Sequence, residues 1–273
     1  DRVAAADRPL VVTSRLGSGP RAANRVNSLI SFSEAAGAGV VEHNPSVLNF
    51  PRNHDLHAGF VPKAAYEAAD LLLLADTDIP WVPANGSPAD DVPVIQIDVD
   101  PTKSAFPHWD FRVDQVVQAD PARTLAALAT SLDPATGAVG REAWADHNRR
   151  RREKHDEHLA SHRAEDRLTP AVVSDALNSI IDESTMIMED VVTNRVTALR
   201  YLDLDRPGSY HSQYGSGLGW GAPATAGASL ATDGRVIGIL GDGAYVFGNP
   251  TASAWLAAAH DAPTLLGVYN NSG

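Results

Sequence analysis

The chain has 273 residues, 44% of them apolar, enough for two domains with a core each. Its 22 basic and 34 acidic side chains leave a net charge of -12, which argues against nucleic-acid and anionic-membrane partners, and the lack of cysteine excludes disulfides and thiolate metal sites. No apolar run reaches the roughly 18 residues of a membrane span, and the N-terminus shows no basic-then-apolar leader, so a cytoplasmic location is expected.

Arg8-Pro-Leu-Val-Val-Thr13 reads as a buried strand and Leu16-Gly-Ser-Gly-Pro20 as the turn after it. Val26, Leu29, Ile30 and Ser33 recur at helical spacing and predict a helix from Arg21 to Ala36, closed by Gly37 to Gly39 before a strand opening at Val40-Val41-Glu42. A helix around Lys63 to Ala69 and strands at 70–75 and 92–101 continue the alternation. Strands apolar along their length, alternating with helices, imply a doubly wound parallel sheet over residues 1–133. Gly17-Ser-Gly19 lacks the third glycine of a dinucleotide fingerprint and meets Pro20 at once, so a tight strand-to-helix turn is preferred over a nucleotide loop. His43, His54 and His57 lie in a polar, proline-bearing loop, Glu42 to Gly59, and are expected to be hydrogen-bonded loop residues without a catalytic role.

Composition changes at Asp133-Pro-Ala-Thr-Gly-Ala138, and the charged stretch from Arg141 to Arg167 predicts a solvated helical connector, placed over 134–168. His155, His158 and His162 share a helix face, but their basic neighbours oppose cation binding. Thr169 as cap and Pro170 at the first helical position open the next helix, with Ala171, Val172, Ala176, Leu177, Ile180 and Ile181 as its apolar face. A strand over 184–192 follows, with Thr193 and Asn194 at its carboxyl end.

The last stretch is the most informative. A strand at 235–240 runs into Gly241-Asp242-Gly243, an alanine-rich helical segment follows, and a second strand at 264–269 ends in Asn270-Asn271. Oxygen ligands thus stand at the carboxyl ends of both strands, where open parallel sheets bind ligands. Gly241 and Gly243 let the backbone approach a bulky anion, and the helix start offers unpaired N–H groups to a phosphate. One carboxylate, Asp242, and one amide oxygen, Asn271, suit Mg²⁺, so the unit reads as a metal-diphosphate cradle.

Gly241-Asp242-Gly243, positions 244 to 269, then Asn270-Asn271 resembles the signature of thiamine-diphosphate enzymes. Upstream, SYHSQYGSGLGWGAPATAGASLA (209–231) is similar to the GxLGxxxPAxxGAxLA run that precedes GDG in acetolactate synthases and benzoylformate decarboxylases. Ile97-Asp98-Val99-Asp100-Pro101 looks like the IDxDP strand end of the family's central domain. The resemblance implies an α/β fold of two doubly wound parallel-sheet domains: a Rossmann-like central domain (1–133) and a C-terminally incomplete diphosphate-binding domain (169–273). It implies thiamine diphosphate and Mg²⁺ as cofactors, the metal held by Asp242, Asn271 and the backbone carbonyl of Gly273. Leu218 would wedge between the cofactor's two rings and hold its bent form, while the Ser216 carbonyl would face the aminopyrimidine. The backbone at Gly241, Gly243, Ala244 and Tyr245 would accept the diphosphate; Ala244 replaces the serine common after GDG and removes a hydroxyl contact. Thr193 and Asn194 would hold diphosphate oxygens, a role compatible with the helix capping that either is suited to perform. Some relatives hold FAD in the central domain, acetolactate synthases among them, and others hold nothing there; the sequence leaves both open.

For function, the resemblance implies decarboxylation of a 2-oxo acid, followed by aldehyde release or by joining to a second 2-oxo acid. The cofactor supplies the electron sink, and the protein supplies binding, geometry and proton management. The family's activating acid sits on a pyrimidine-binding domain, so no catalytic residue is assigned in this chain. That acid is expected from missing sequence or from another polypeptide of a homodimer or homotetramer. Were the chain active alone, Glu189, Asp190 and the 42–59 loop would be the places to look. One rival is a nicotinamide-dependent oxidoreductase, which needs the glycine fingerprint that Gly17-Ser-Gly19-Pro20 does not supply. The other is a non-catalytic relative that binds FAD or ADP and no thiamine diphosphate.

Overall fold

A computed structural model describes residues 1–165, 168–213, 215 and 217–271. The chain divides into two α/β units, one of Asp1–Pro45 with Asn49–Asp156, the other of Ser46–Leu48 with Glu157–Gly273. In the first unit β1 (Pro9–Thr13), β2 (Gly39–Glu42), β3 (His57–Gly59), β4 (Leu71–Ala75), β5 (Val94–Asp98) and β6 (Gln115–Gln118) form one sheet in the order β3-β2-β1-β4-β5-β6. Every pair in it is parallel. The helices are α1 (Arg2–Ala5), α2 (Ala22–Ala36), α3 (Lys63–Ala68), α4 (Pro121–Ser131) and α5 (Ala138–Arg163), and the division between the units falls within α5.

The central strands are buried along their whole length, as expected for strands covered on both faces. The buried face of α2 is Val26, Leu29, Phe32, Ser33 and Ala36, and Gly37 ends the helix in the left-handed region at φ 63°, where a Cβ would run into the backbone of Gly137. Two strands of this unit lie where no strand pattern stands in the sequence. β3 is a three-residue piece of the 42–59 loop, and β6 is an edge strand of mostly exposed residues.

In the second unit β7 (Met186–Asp190), β8 (Tyr210–Ser212), β9 (Val236–Gly241) and β10 (Thr264–Tyr269) make a parallel sheet in the order β10-β9-β7-β8. Its helices are α6 (Pro170–Leu177), α7 (Arg195–Tyr201), α8 (Gly221–Ser229), α9 (Asp242–Phe247) and α10 (Pro250–Ala259). Thr169 caps α6 by accepting from the Val172 N–H, with Pro170 first in the helix. The alanine-rich segment is two helices, because Asn249 turns left-handed (φ 49°) after Gly248 and Pro250 starts afresh.

Each sheet reverses its strand progression once. The chain returns from β3 to lay β4 beside β1, and from β8 to lay β9 beside β7. Such reversals open a crevice at the carboxyl ends of the two central strands. Among the described residues no helix is long and apolar enough to cross a membrane.

Candidate functional site

A cleft of about 250 Å³ lies at the reversal point of the second sheet. Its lining comes from Asp190 to Asn194 after β7, Gly241 to Ala244 after β9, Tyr269 and Asn271 at the end of β10, and Leu218 from the turn before α8. Topology therefore brings Asp242 and Asn271 into one cavity with Thr193, Asn194, Leu218 and Ala244. Tyr245, one position further along α9, does not line it. Ser216 and Gly273 lie outside the described residues. Asn194 precedes α7, yet its side chain makes no capping bond.

The two glycines around Asp242 are informative because the fold itself does not require them. Gly241 has φ -72°, which any residue adopts, and a Cβ there would meet only the Asp190 carbonyl oxygen at 3.9 Å. A Cβ at Gly243 would meet nothing within 4 Å. Side chains at these positions would instead occupy open space at the cleft. Asp242 is the first residue of α9, and no hydrogen bond or ion pair among the described residues engages its carboxylate. With Asn271 it offers two hard oxygens, too few to cage a cation but enough when a diphosphate and water complete an octahedron. Gathered groups of three or more His, Cys, Asp or Glu in metal-binding arrangement are absent among the described residues. His162 is instead bonded to Thr169 Oγ1 at 2.7 Å, its ring 4.1 Å from that of His158.

Asp190, Val191, Val192 and Tyr269 line the cleft with no role assigned from the sequence, and two of them, Asp190 and Tyr269, are polar. Tyr269 is buried at the end of β10, and its hydroxyl is 2.8 Å from Ser174 Oγ. Ser174 donates to the Pro170 carbonyl at 2.6 Å, so the tyrosine is the donor of the pair and ties β10 to α6. Burial raises the Tyr269 pKa and the Glu189 charge adds to the rise, while the Ser174 contact opposes it. Glu189 and Asp190, successive residues of β7, point to opposite faces of the sheet. Glu189 accepts from the Val191 N–H at 2.5 Å and the Tyr210 hydroxyl at 2.8 Å, and pairs with Arg195 at 3.0 Å. Asp190 accepts from the Gly219 and Gly221 N–H groups at 3.0 and 2.9 Å. Both carboxylates are committed to the protein's own donors. The sequence signal was a Glu-Asp pair closing an apolar strand, since buried carboxylates at such a place must find partners.

The corresponding point of the first sheet, between β1 and β4, is built differently. The N–H groups of Ser14 and Arg15 donate to the Asp76 carbonyl at 3.3 and 3.1 Å, that of Gly17 to Asn49 Oδ1 at 3.0 Å, and that of Ser18 to the Arg15 carbonyl at 2.9 Å. Ser14 Oγ donates to the His43 carbonyl at 2.6 Å. Around this turn Arg15 pairs with Asp78 at 2.6 Å, Arg25 with Asp120 at 2.8 Å and Asp76 at 3.2 Å, and Lys103 with Asp98 at 2.7 Å and Asp78 at 2.8 Å. Burial raises the Asp76 carboxyl, which Arg15 partly offsets. Two of the loop histidines, His54 and His57, are hydrogen-bonded within the loop. His57 bonds Glu42 at 3.1 Å, and His54 Nδ1 accepts from the Leu56 N–H at 3.1 Å.

The residues that line the second cleft all fall within a segment that matches a known family. Residues 190–273 match the family described as thiamine pyrophosphate enzyme, C-terminal TPP binding domain. Benzoylformate decarboxylase of Pseudomonas aeruginosa is 34% identical over 106 residues, covering 38% of this chain and 20% of that protein. Acetolactate synthase 1 of Oryza sativa subsp. japonica, chloroplastic, is 27% identical over 232 residues, 79% of this chain and 35% of that protein. The chain thus spans well under half the length of the curated relatives it matches. In fold it is similar to the thiamine diphosphate-dependent 4-hydroxybenzoylformate decarboxylase of Rhodococcus jostii RHA1, with a TM-score of 0.74 at 22% identity over 99% of this chain and 49% of that one. The chain is thus similar to thiamine-diphosphate-dependent enzymes, and residues 190–273 are the segment that matches their thiamine pyrophosphate-binding domain.

Proposed function

We propose that the second unit binds the diphosphate half of thiamine diphosphate through Mg²⁺, as part of an enzyme that decarboxylates a 2-oxo acid and then releases an aldehyde or joins the fragment to a second 2-oxo acid. The observation that carries this reading is the uncommitted Asp242 carboxylate, flanked by two glycines that neither backbone strain nor packing requires, in a cleft shared with Asn271. When bound, the cofactor supplies a nucleophilic carbon and an electron sink. Asp242, Asn271 and the Gly273 carbonyl hold the metal. Thr193, Asn194 and the backbone from Gly241 to Ala244 would hold the diphosphate, while Tyr245, outside the cleft, is left without that role. Leu218 fixes the angle between the two rings, and the Ser216 carbonyl accepts from the aminopyrimidine. Glu189 and Asp190, spent on protein donors, are not the activating acid. That group comes from a pyrimidine-binding domain of the same or another polypeptide, in a homodimer or homotetramer. The working division is a central domain at 1–133, a connector at 134–168 and the diphosphate-binding domain from 169.

FAD does not fit the first unit. A dinucleotide's diphosphate would need the N–H groups after β1, which already have acceptors, and would meet Asp76, Asp78, Asp98 and Asp120. This favours the branch of the family whose central domain holds nothing, and it weighs against both nucleotide-binding rivals. The test is calorimetric titration of the chain and of Asp242→Ala with thiamine diphosphate, with and without Mg²⁺. Turnover of benzoylformate and pyruvate is then assayed with a separately expressed pyrimidine-binding domain. Binding that ignores both Mg²⁺ and the substitution would overturn the metal assignment, and robust decarboxylation by the chain alone would overturn the division of the catalytic acid.

A further inference from the structure

Leu218 lines the cleft from the turn that precedes α8, and it is 41% exposed. An exposed leucine on a free turn would populate many positions, so something must hold this one. The turn runs from Leu218 through Gly219 and Trp220 into α8, and three contacts wedge it. Gly219 adopts φ 97°, and a Cβ there would stand 2.9 Å from the Gly248 backbone. A Cβ on Gly221 would stand 2.3 Å from Leu240 Cδ2 and 2.6 Å from Asp190 Cβ. Glycine at these two positions lets the backbone lie directly on β7 and β9 and on the break between α9 and α10. The third contact is Asp190, 1% exposed, whose Oδ2 accepts both the Gly219 and Gly221 N–H groups while Oδ1 takes the Gln213 side-chain amide at 3.3 Å.

We propose that Asp190 is a positioning residue: it fixes the Leu218 turn against the end of β7 and so sets where Leu218 stands in the cleft. A single carboxylate oxygen that takes the N–H groups of residues i and i+2 defines the path of the turn between them, and a charged acceptor makes these bonds stronger than neutral ones. The N–H of Gly221 also belongs to the first turn of α8, where no intrahelical acceptor exists, so Asp190 satisfies a donor that would otherwise be buried without one. The consequence for cofactor geometry rests on the function proposed above; the anchoring of the turn does not.

The experiment compares wild type, Asp190→Ala and Asp190→Asn, the asparagine keeping one carbonyl oxygen for the two N–H groups. Residue-resolved amide hydrogen exchange reads the anchor without any ligand. In Asp190→Ala the Gly219 and Gly221 amides exchange at least about tenfold faster while amides of β7 and β9 are unchanged, and Asp190→Asn restores most of the protection. Unchanged exchange at Gly219 and Gly221 in Asp190→Ala overturns the proposal. So does faster exchange spread evenly over β7 and β9, because that is general destabilisation. In parallel, turnover of the chain assembled with a pyrimidine-binding domain falls by roughly 10-fold or more in Asp190→Ala, with a smaller change in Mg²⁺–thiamine diphosphate affinity, and recovers in Asp190→Asn, the scale found when a group that orients a site residue is lost. A wild-type chain that binds no thiamine diphosphate counts against the proposed function alone, since the exchange result still decides the role of Asp190.

Discussion

The two sheets offer the same kind of place, a crevice at the carboxyl ends of strands where the progression reverses, and they fill it in opposite ways. In the first unit the N–H groups after β1 are taken by the Asp76 carbonyl and Asn49, and three cations lock four carboxylates around the turn. In the second, Asp190 fastens one neighbouring turn and Tyr269 bonds Ser174, while no hydrogen bond or ion pair among the described residues engages the Asp242 carboxylate. A doubly wound sheet therefore does not dictate a ligand. Whether its crevice binds depends on whether its polar groups are already satisfied by the protein.

The strongest way to break this comparison is to remove one carboxylate from each crevice. Asp98→Ala would leave Lys103, only 4% exposed, with Asp78 as its remaining partner, and breaking such a buried pair costs about 3–5 kcal/mol. Burial disfavours the Lys103 charge, yet its bonds to Asp78 and Asp98 hold its pKa above the ordinary value, so the cation persists and the loss is felt. Urea unfolding should show that loss with little change in thiamine diphosphate binding. Asp242→Ala should do the reverse, abolishing Mg²⁺-dependent cofactor binding while leaving unfolding within about 0.5 kcal/mol of the parent, as for surface substitutions away from special contacts. Equal effects of the two substitutions on either measurement would erase the distinction.

Acid should act on the first unit by the same logic of committed groups. Burial pushes His57 down to about 4, against its bond to Glu42 and helped by Arg151 and Arg52, so the imidazole is neutral in the folded state. Between pH 6.5 and 4 the unfolded chain takes up a proton that the folded chain refuses, and stability is lost as pH falls through that window. Glu42 adds in the same direction. Burial would raise its pKa, but His57, Arg52 and the Asn49 N–H hold it below the ordinary carboxylate value, so its contribution is also lost on acidification. The expected loss for His57 is on the order of 3 kcal/mol, read by urea unfolding at pH 7.5 and pH 4.5. His57→Gln should flatten that dependence, and a parent protein equally stable at both pH values would show that the imidazole is not held neutral.

How much of this was legible depended on whether a contact was local. Leu71 to Ala75 and Val94 to Asp98 announced buried strands because both faces are apolar, whereas β3, β6 and β8 are short or exposed and exist by pairing with neighbours. Asp242 and Asn271 could be placed together because strand ends in a parallel sheet share one edge. The jobs of Asp190 and Tyr269 could not be read, since their partners are Gly219, Gly221 and Ser174, reached only through the folded sheet. The same holds for the ion pairs of the first crevice, which join Arg15, Arg25, Asp76, Asp78, Asp98, Lys103 and Asp120 from separate segments.

Within the open cleft, Leu218→Ala sharpens the contrast between binding and geometry. If Leu218 sets the angle of the bound rings, its truncation should lower turnover of the assembled enzyme roughly 100-fold, the scale of a misplacement of about 1 Å, and change cofactor affinity less. Turnover within a few-fold of the parent would make it an ordinary apolar wall.

The smallest effect expected is none, and it bears on the comparison from the other side. A ligand present at 100 times its dissociation constant stabilises a protein by about 2.7 kcal/mol, which an unfolding curve detects readily. FAD, ADP or NAD binding at the first crevice would have to take the Ser14, Arg15 and Gly17 N–H groups from the Asp76 carbonyl and Asn49, leaving those buried acceptors unpaired. It would also set a diphosphate against four carboxylates and only three cations. Unfolding of the chain should therefore be unchanged by millimolar FAD, ADP or NAD, while Mg²⁺ with thiamine diphosphate shifts it. A nucleotide-dependent shift that disappears in Arg15→Ala would show that the ion pairs part to admit a ligand, and the first crevice would then be a second site.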